Sequence, residues 1–372
     1  MLNPSVNIFS IHQGDTVNSL VNVNCHFDQL EEIWLGDTYP EEYYNDLDSK
    51  VKDVFKKITD ITKTDLLKIE QVFTELGVKV RRPKWSANAN DYKDNNGILY
   101  RPPVPCRDTH LSLGSDFFHV QSPYPVDPWQ EILDEYEQSG AKVYNRGFLS
   151  EFGYIHPPSI VRLGKDIIID IDTHQHSWHL MEQDFIPYLI DKGHRVLVCD
   201  TGGHVDSVFT VPKEGKIIAA HWKTNYEAEL PGWEVHRIPD EQVSDKNYQN
   251  VSFNKAWWVN EVQEHASIQV PKFNDYLIKN AIDWIGFPVE TVFSVNSVVI
   301  NEDLIITTGE PPAETKLWLK ENKIDYIPID FRCCHFWDSG IHCLTVDIRR
   351  NGPVRDFFPD RTENIYRFYN EE

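Results

Sequence analysis

The most informative stretch of the sequence is FRCCHFWDSGIHCLTVDIRR, residues 331–350. Ser339 and Gly340 can form a tight turn, and the alternating residues LTVDIRR that follow predict a β-strand. Cys343 would then lie at the entrance of this strand, where a thiol can be held rigidly and stay partly exposed. Cysteine is also among the residue types most often buried in a core. This stretch alone fits either a nucleophile or a structural thiol.

A second informative stretch is DTGGHVDSVFTV, residues 200–211. Gly202 and Gly203 free the backbone, and we predict a strand in which His204 and Asp206 share one face, because residues two apart do so. A base and a carboxylate on one face can serve proton transfer and cation binding together. A surface hairpin with polar residues facing water would give the same pattern.

A third stretch, PPVPCRDTHLSLGSDFFHV, residues 102–120, places Arg107 and Asp108 ahead of an alternating apolar run. Taken in isolation, an aspartate at this position fits a loop cap.

The remainder of the chain alternates short apolar runs with amphipathic helices. Val51, Val54, Phe55 and Ile58 recur at helical spacing, which predicts a helix continuing to about Leu76. Further helices are predicted after Asp127–Pro128, near 180–192, over 272–285 and from Pro312 to about 322. About five helices among short strands predict a single α/β domain over residues 1–372, as either an open sheet or a closed ring of small modules.

The composition of the chain limits the classes of partner that it can bind. The 372 residues carry a formal net charge of −22, which argues against nucleic acid and anionic membranes and suits a small cationic substrate. No apolar run is long enough for a transmembrane helix, and the first residues do not resemble a signal peptide. The six cysteines form no CxxC pair, so we expect reduced thiols in the cytoplasm and no disulfide scaffold.

Two histidine-containing stretches allow a metal site as an alternative. HQHSWH, residues 174–179, fits a polar loop better than a metal site, because the sequence places no matching Cys or acidic partner beside it. Cys333, Cys334 and His335 could also bind a metal or be redox-active, but structural thiols are the better interpretation of the two cysteines. We therefore predict neither a metal nor a cofactor.

Taken together, the three stretches resemble the guanidino-group-modifying (pentein) superfamily and, within it, the amidinotransferases typified by arginine:glycine amidinotransferase. IHCLTVDIRR is the most specific match, GGHVDSVF resembles the family's His-x-Asp segment, and CRD resembles its Arg-Asp motif. FDQLEEIWLGDTYP (27–40), SIVRLGKDI (159–167) and SVNSVVINED (294–303) resemble further segments in family order. The resemblance spans residues 27 to 351.

This resemblance implies a five-bladed α/β propeller of ββαβ modules with pseudo-fivefold symmetry, without cofactor or metal and possibly as a homodimer. It also implies the residue roles. Cys343 would be the nucleophile, His204 the general acid/base, Asp108 and Asp206 the guanidinium-binding carboxylates, and Arg107 and Asn296 substrate-region residues.

The implied reaction moves the amidino group of L-arginine to an amine acceptor through a covalent amidino-cysteine. Two carboxylates would hold the planar cation over the sulfur by charge-assisted hydrogen bonds. The alternatives are hydrolysis, of the deiminase or dihydrolase type, and a catalytically weakened protein that binds guanidino ligands. Arginine and the acceptor amine are the expected partners.

The chain departs from the family pattern just before SIVRLGKDI. The family has an acidic residue three positions before an aspartate there, whereas this chain has His156 and Ser159. The change would lower activity, alter the substrate, or be covered by another group such as Glu151 or His156 itself. Trp337-Asp338-Ser339-Gly340 also replaces the family's Gly-rich turn, which indicates a different substrate pocket.

Overall fold

The computed structural model describes residues 19–120, 123–144, 152, 155–171, 180–201, 204–220, 225–238, 271–281, 284 and 295–368. These residues form five small sheets of three or four strands. The strands are β1 Gln29–Leu35, β2 Lys79–Arg81, β3 His110–Leu113, β4 Asp116–His119, β5 Lys142–Tyr144, β6 Ile160–Leu163, β7 Asp166–Asp170, β8 Arg195–Cys199, β9 Phe209–Lys213, β10 Lys216–Ala220, β11 Glu234–Ile238, β12 Val298–Asn301, β13 Leu304–Thr308, β14 Asp325–Ile329, β15 Thr345–Asn351 and β16 Ile365–Arg367.

The α-helices differ greatly in length. They are α1 Ser49–Glu75, α2 Gln130–Gln138, α3 Ile186–Asp191, α4 Val205–Val208, α5 Tyr226–Glu229, α6 Pro271–Asn280, α7 Ala313–Glu321 and α8 Cys334–Trp337. Across the described part of the chain, no helix combines the length and the apolar composition that crossing a membrane requires.

One module is repeated around the molecule. In β3–β5, β6–β8, β9–β11 and β12–β14, the first strand pairs antiparallel with the second, which pairs parallel with the third. The fifth sheet joins distant segments, because β15 pairs antiparallel with β1, and β1 pairs parallel with β2. A helix connects the parallel strands of each module, as such crossovers require. The predicted five-bladed α/β propeller of ββαβ modules is confirmed.

The module formed by β15, β1 and β2 contains the longest helix, α1, whose sequence pattern explains how it starts and packs. Val51, Val54, Phe55 and Ile58 are buried along one face of α1, as predicted from their spacing. The Asp48 side chain accepts a hydrogen bond from the backbone N–H of residue 50 and caps the helix. The helix therefore starts and packs as its pattern indicates.

The helix predicted over 272–285 is present as α6, but it lies against α1. Phe273 packs edge-on against Phe55 with ring centroids 4.7 Å apart. The crossover between β10 and β11 contains instead the four-residue α5. Short apolar periodicity therefore located this helix without indicating its packing partner.

A buried ion cluster ties the first strands of the modules together. The Asp347 carboxylate on β15 accepts hydrogen bonds from Arg162 on β6, at 2.7 Å, and from Arg350, at 3.0 Å. Arg350 also donates to the carbonyl oxygen of Asp28, just before β1 of the same sheet, and to that of Val299 on β12, in another module. Burial opposes ionisation of Asp347, but the two guanidinium groups outweigh it and hold the pKa of this carboxyl well below its usual range.

Candidate active site

Five short turns, one ahead of the first strand of each module, carry the polar residues that the sequence singled out. Several of these turns pack directly on one another. Because the modules repeat, equivalent turns occupy equivalent positions and their side chains converge. The turns are Cys106–Thr109 before β3, Pro157–Ser159 before β6, α4 before β9, residues 295–297 before β12 and residues 341–344 before β15.

Cys343 lies two residues before β15, at the strand entrance where the sequence placed it. The residue is 5% exposed, and its carbonyl accepts a hydrogen bond from the backbone N–H of Arg107 at 3.2 Å. The Asn296 side-chain amide donates to Sγ at 3.1 Å. Burial, together with the carboxylates of Asp206 and Asp108, raises the pKa of the Cys343 thiol well above its ordinary value, and the Asn296 donor opposes this shift.

Asn296 also holds the turn that presents the sulfur. Its side-chain oxygen accepts from the backbone N–H groups of His342, at 2.9 Å, and Cys343, at 3.3 Å. A Cβ placed on Gly340 would lie 2.3 Å from that oxygen, so only glycine lets the turn come this close to Asn296. Asn296 is completely buried, as this network requires.

Asp206 is the carboxylate at the centre of the cluster. Its Oδ2 accepts from Arg107 Nε at 3.1 Å and from His342 Nδ1 at 3.2 Å. Its Oδ1 is buried and has no hydrogen-bond partner within the described residues. Burial opposes the charged form, but the hydrogen bond from His342 and the charge of Arg107 outweigh it and lower the Asp206 pKa. Asp206 is thus an ionised carboxylate with one oxygen available for a ligand.

The prediction that His204 and Asp206 share one face of a strand is wrong. His204 is the N-cap of α4, and the backbone N–H of Ser207 donates to its carbonyl at 2.9 Å. This hydrogen bond closes a helical turn that buries Val205 and Val208. His204 nevertheless belongs to the same cluster, because it begins the turn that carries Asp206 and its ring packs against that of His156.

His156 and Ser159, which stand at the family's acidic positions, form a pair beside His204. His156 Nδ1 lies 2.7 Å from Ser159 Oγ, and the His156 ring packs edge-on against His204 with centroids 4.5 Å apart. Burial and the neighbouring His204 lower the pKa of His156 to about 3, so the imidazole is neutral near pH 7. The pair therefore supports His204 by contact and supplies no negative charge.

Arg107 and Asp108 are neighbours that face different surroundings. Arg107 is buried, and its Nε holds Asp206, so it orients a carboxylate. The Asp108 side chain is 38% exposed and lies 3.5 Å from Arg101. The Asp108 carboxylate is one of the charges that raise the pKa of the Cys343 thiol, after burial and Asp206.

Sequence reasoning assigned no role to His342 or Arg101. The only signal for His342 was its position before Cys343, and Arg101 lies seven residues before Asp108 with no marked pattern. Glu151 and the stretch 174–179 lie outside the described residues. Within the ranges that the structure describes, no group of three metal-ligating side chains occurs, Cys333 and Cys334 included.

Comparison with known proteins agrees with these observations. No family model matches the chain. Inosamine-phosphate amidinotransferase 1 of Streptomyces glaucescens is 20% identical, over 91% of this chain and 99% of that protein. The structure of inosamine-phosphate amidinotransferase StrB1 from Streptomyces griseus superposes with a TM-score of 0.61 at 18% identity, over 91% of this chain and 99% of that one.

Two further structures share the architecture. SxtG, an amidinotransferase from Microseira wollei in the saxitoxin biosynthetic pathway, gives a TM-score of 0.59 at 18% identity, over 91% of this chain and 100% of that one. DDAH from Pseudomonas aeruginosa, complexed with citrulline, gives a TM-score of 0.50 at 10% identity, over 86% of this chain and 99% of that one. The chain has the pentein fold of these proteins. Its resemblance to the amidinotransferases, read from the motifs, is confirmed by similarity over nearly the full length.

Proposed function

We propose that this chain is an amidinotransferase that moves the amidino group of L-arginine to an amine acceptor through a covalent amidino-Cys343. The observation that carries the proposal is the hydrogen bond from Asn296 Nδ2 to Cys343 Sγ, in a network that also holds Asp206. A structural thiol needs no donor on its sulfur, whereas a thiolate nucleophile is stabilised by one.

The acidic surroundings of the thiol suit a cationic substrate. Asp206 Oδ1 and the Asp108 carboxylate would accept the N–H groups of a guanidinium, whose planar fork matches carboxylate oxygens. The bound cation would offset the negative field that raises the Cys343 pKa. The thiolate would therefore form mainly when substrate is present.

The reaction then proceeds in two halves. The Cys343 thiol gives its proton to His204, and the thiolate attacks the guanidinium carbon and forms a C–S bond. The C–N bond to ornithine then breaks as His204 returns that proton to the leaving nitrogen. The acceptor amine then gives a proton to His204 and attacks the amidino carbon, and the C–S bond breaks. His156, packed on His204 and hydrogen-bonded to Ser159, would orient the acid/base group where the family uses a carboxylate.

Intact-mass measurement after incubation with arginine tests the proposal. We expect an added amidino group on the wild-type chain and on Cys106→Ser, which alters another buried thiol. Cys343→Ser should show none. An adduct that persists in Cys343→Ser, or no adduct in the wild-type chain under rapid quenching, would contradict the proposal.

Product analysis separates transfer from hydrolysis, which the DDAH-like fold makes the second candidate. Ornithine with a new guanidino compound, from arginine and a panel of amines, supports transfer. Citrulline, or urea with ornithine, supports hydrolysis. Arginine that raises the melting temperature without any product would support a binding protein. A cytoplasmic location, a homodimer and a single domain over residues 1–372 stay predictions.

A further inference from the structure

Asp338 has a backbone conformation that favours glycine. It is the C-cap of α8, with a φ of 48° and a ψ of 52°, in the left-handed region. Among the described residues other than glycine, only Lys323 shares a positive φ. Glycine is favoured at such a helix end and asparagine is the usual alternative, whereas a negative charge is unfavourable beside the free carbonyl groups. Local structure therefore gives no reason for an aspartate here.

Both flanks of Asp338 are fixed against residues of the candidate site. On one side, the Trp337 carbonyl accepts a hydrogen bond from Arg101 Nη2 at 2.7 Å, and Arg101 Nη1 lies 3.5 Å from Asp108 Oδ2. On the other side, Gly340 packs on the amide group that donates to the sulfur. Asp338 is half-buried between these two anchors, so it belongs to the surroundings of the site.

Three carboxylates act on the nucleophile through their charges. Burial is the largest cause of the raised pKa of Cys343, and the charges of Asp206, Asp108 and Asp338 follow in that order. Each of these charges disfavours the thiolate in the free protein. A third carboxylate therefore opposes the nucleophile unless the substrate brings a positive charge with it.

The formal charges of these side chains balance when a cation is bound. Arg107 pairs with Asp206, and Arg101 lies beside Asp108. With Asp338 there are three negative and two positive groups, so the five side chains together carry one negative charge. A guanidinium neutralises this charge, whereas a neutral urea or amide of the same shape does not. Without Asp338 the remaining four groups would balance, and hydrogen bonds alone would distinguish the two ligands.

We propose that Asp338 is the charge-selecting residue of this site, which keeps the site negative so that it takes a guanidinium or amidinium and rejects the neutral isostere. The inference rests on the proposed function, because the selected cation is the group that Cys343 attacks. The amidino group stays cationic on the sulfur, so the same charge holds the covalent intermediate after ornithine has left. His156 and Ser159 contribute no negative charge, and Asp338 supplies it from another turn.

Alkylation of the full chain by two reagents of the same shape tests this role without requiring turnover. Chloroacetamidine is cationic near neutral pH and chloroacetamide is neutral. With either reagent the Cys343 thiolate forms an S–C bond, and chloride leaves with the bonding electron pair. Peptide mass spectrometry measures the rate at Cys343 and separates it from the rates at the other cysteines.

Asp338→Asn should change the two rates differently. We expect the ratio of the cationic rate to the neutral rate to fall at least about fivefold, because the attraction for the cation is lost. The rate with chloroacetamide alone should rise about two- to threefold, because the Cys343 thiolate forms more readily. Loosening of the turn would instead change both rates in one direction and leave their ratio unaltered.

Two further variants separate the charge from the backbone. Asparagine tolerates the left-handed conformation, so Asp338→Asn removes little besides the charge. Asp338→Gly removes the side chain and any backbone strain, and it should lower the ratio as Asp338→Asn does. Asp303→Asn is the matched control, because Asp303 lies between β12 and β13, pairs with Lys213 and has a side chain that is 79% exposed. It should keep the wild-type ratio.

A wild-type ratio in Asp338→Asn would overturn the role of Asp338. A ratio that falls in Asp338→Asn and returns to the wild-type value in Asp338→Gly would overturn it as well, because the backbone and not the charge would then be the cause.

The two proposals fail separately. An amidino adduct from arginine on Cys343, with a ratio that does not depend on Asp338, overturns charge selection alone. A ratio that depends on Asp338, without any adduct from arginine, supports charge selection and overturns the amidinotransferase.

Discussion

Cys106 and Cys343 lie in equivalent turns of neighbouring modules, and their hydrogen bonds run in opposite directions. Cys106 Sγ donates to the Leu344 carbonyl at 3.2 Å, whereas Cys343 Sγ accepts from Asn296 at 3.1 Å. Burial raises the pKa of both thiols. Burial and the raised thiol pKa are therefore common to the two cysteines, and the direction of the hydrogen bond is the difference on which the proposed role of Cys343 rests. A sulfur that donates must keep its proton, and one that accepts is prepared to lose it.

The largest expected effect is the difference between the two serine variants. Cys343→Ser should lower turnover by at least about 10³-fold, because the nucleophile is lost. Cys106→Ser should keep turnover within a few-fold, since a hydroxyl can still donate to the Leu344 carbonyl. Steady-state rates with arginine and an amine check this. Equal losses in both variants, with unchanged melting temperatures, would remove the distinction.

The next effect comes from Asn296→Asp, which removes the donor on the sulfur and keeps the oxygen that accepts two backbone N–H groups. A charge-assisted hydrogen bond is worth about 1.5–3 kcal/mol, so we expect turnover to fall about 10- to 100-fold. Asn301→Asp is the matched control, because Asn301 lies at the surface, where it donates to Gln29 and its side-chain oxygen accepts from the backbone N–H of Asp303. Wild-type turnover in Asn296→Asp would show that the amide does not activate the thiol.

The pH dependence should differ between the free and the substrate-bound protein. The raised pKa of Cys343 means that the free thiol is protonated at neutral pH, so kcat/KM should rise with pH to beyond 9. A bound guanidinium favours the thiolate, so the corresponding rise in kcat should lie at least about one pH unit lower. The pH dependences of kcat/KM and of kcat measure the two rises. Rises at the same pH would mean that the substrate does not assist ionisation of the Cys343 thiol.

The smallest effect is expected from Ser159→Ala. It removes the hydroxyl beside His156 Nδ1 and leaves the packing of His156 on His204. One neutral hydrogen bond is worth about 0.5–1.5 kcal/mol, so kcat should fall about 2- to 10-fold. Ser297→Ala, in an equivalent turn, is the control, because among the described residues its hydroxyl bonds to the local Val295 carbonyl alone. An unchanged kcat in Ser159→Ala would show that the Ser159 hydroxyl does not orient His156.

Local sequence patterns predicted the helices and strands well where those elements were long. The spacing along α1 marks its buried face, and the alternation after Cys343 marks β15. The strand predicted for His204 and Asp206 failed because a pattern of three residues cannot distinguish alternation from one turn of helix.

Less of the candidate site could be predicted from the sequence. Asp206, Asn296 and Cys343 come from turns far apart in the chain, so no local rule brings them together, and only the family resemblance grouped them. Arg101 and His342 gained their significance from long-range contacts that carry no signature in the sequence.

The sheet formed by β15, β1 and β2 is completed by a strand from near the end of the described chain, which has a consequence during synthesis. β1 pairs with β15 from Gln29 opposite Asn351 to Leu35 opposite Thr345. The blade that contains β1 and β2 therefore stays incomplete until β15 has been translated. The thiol lies on that final segment, and the partners that orient it emerge from the ribosome earlier. A chain released before this point would leave the β1 edge unpaired and prone to association.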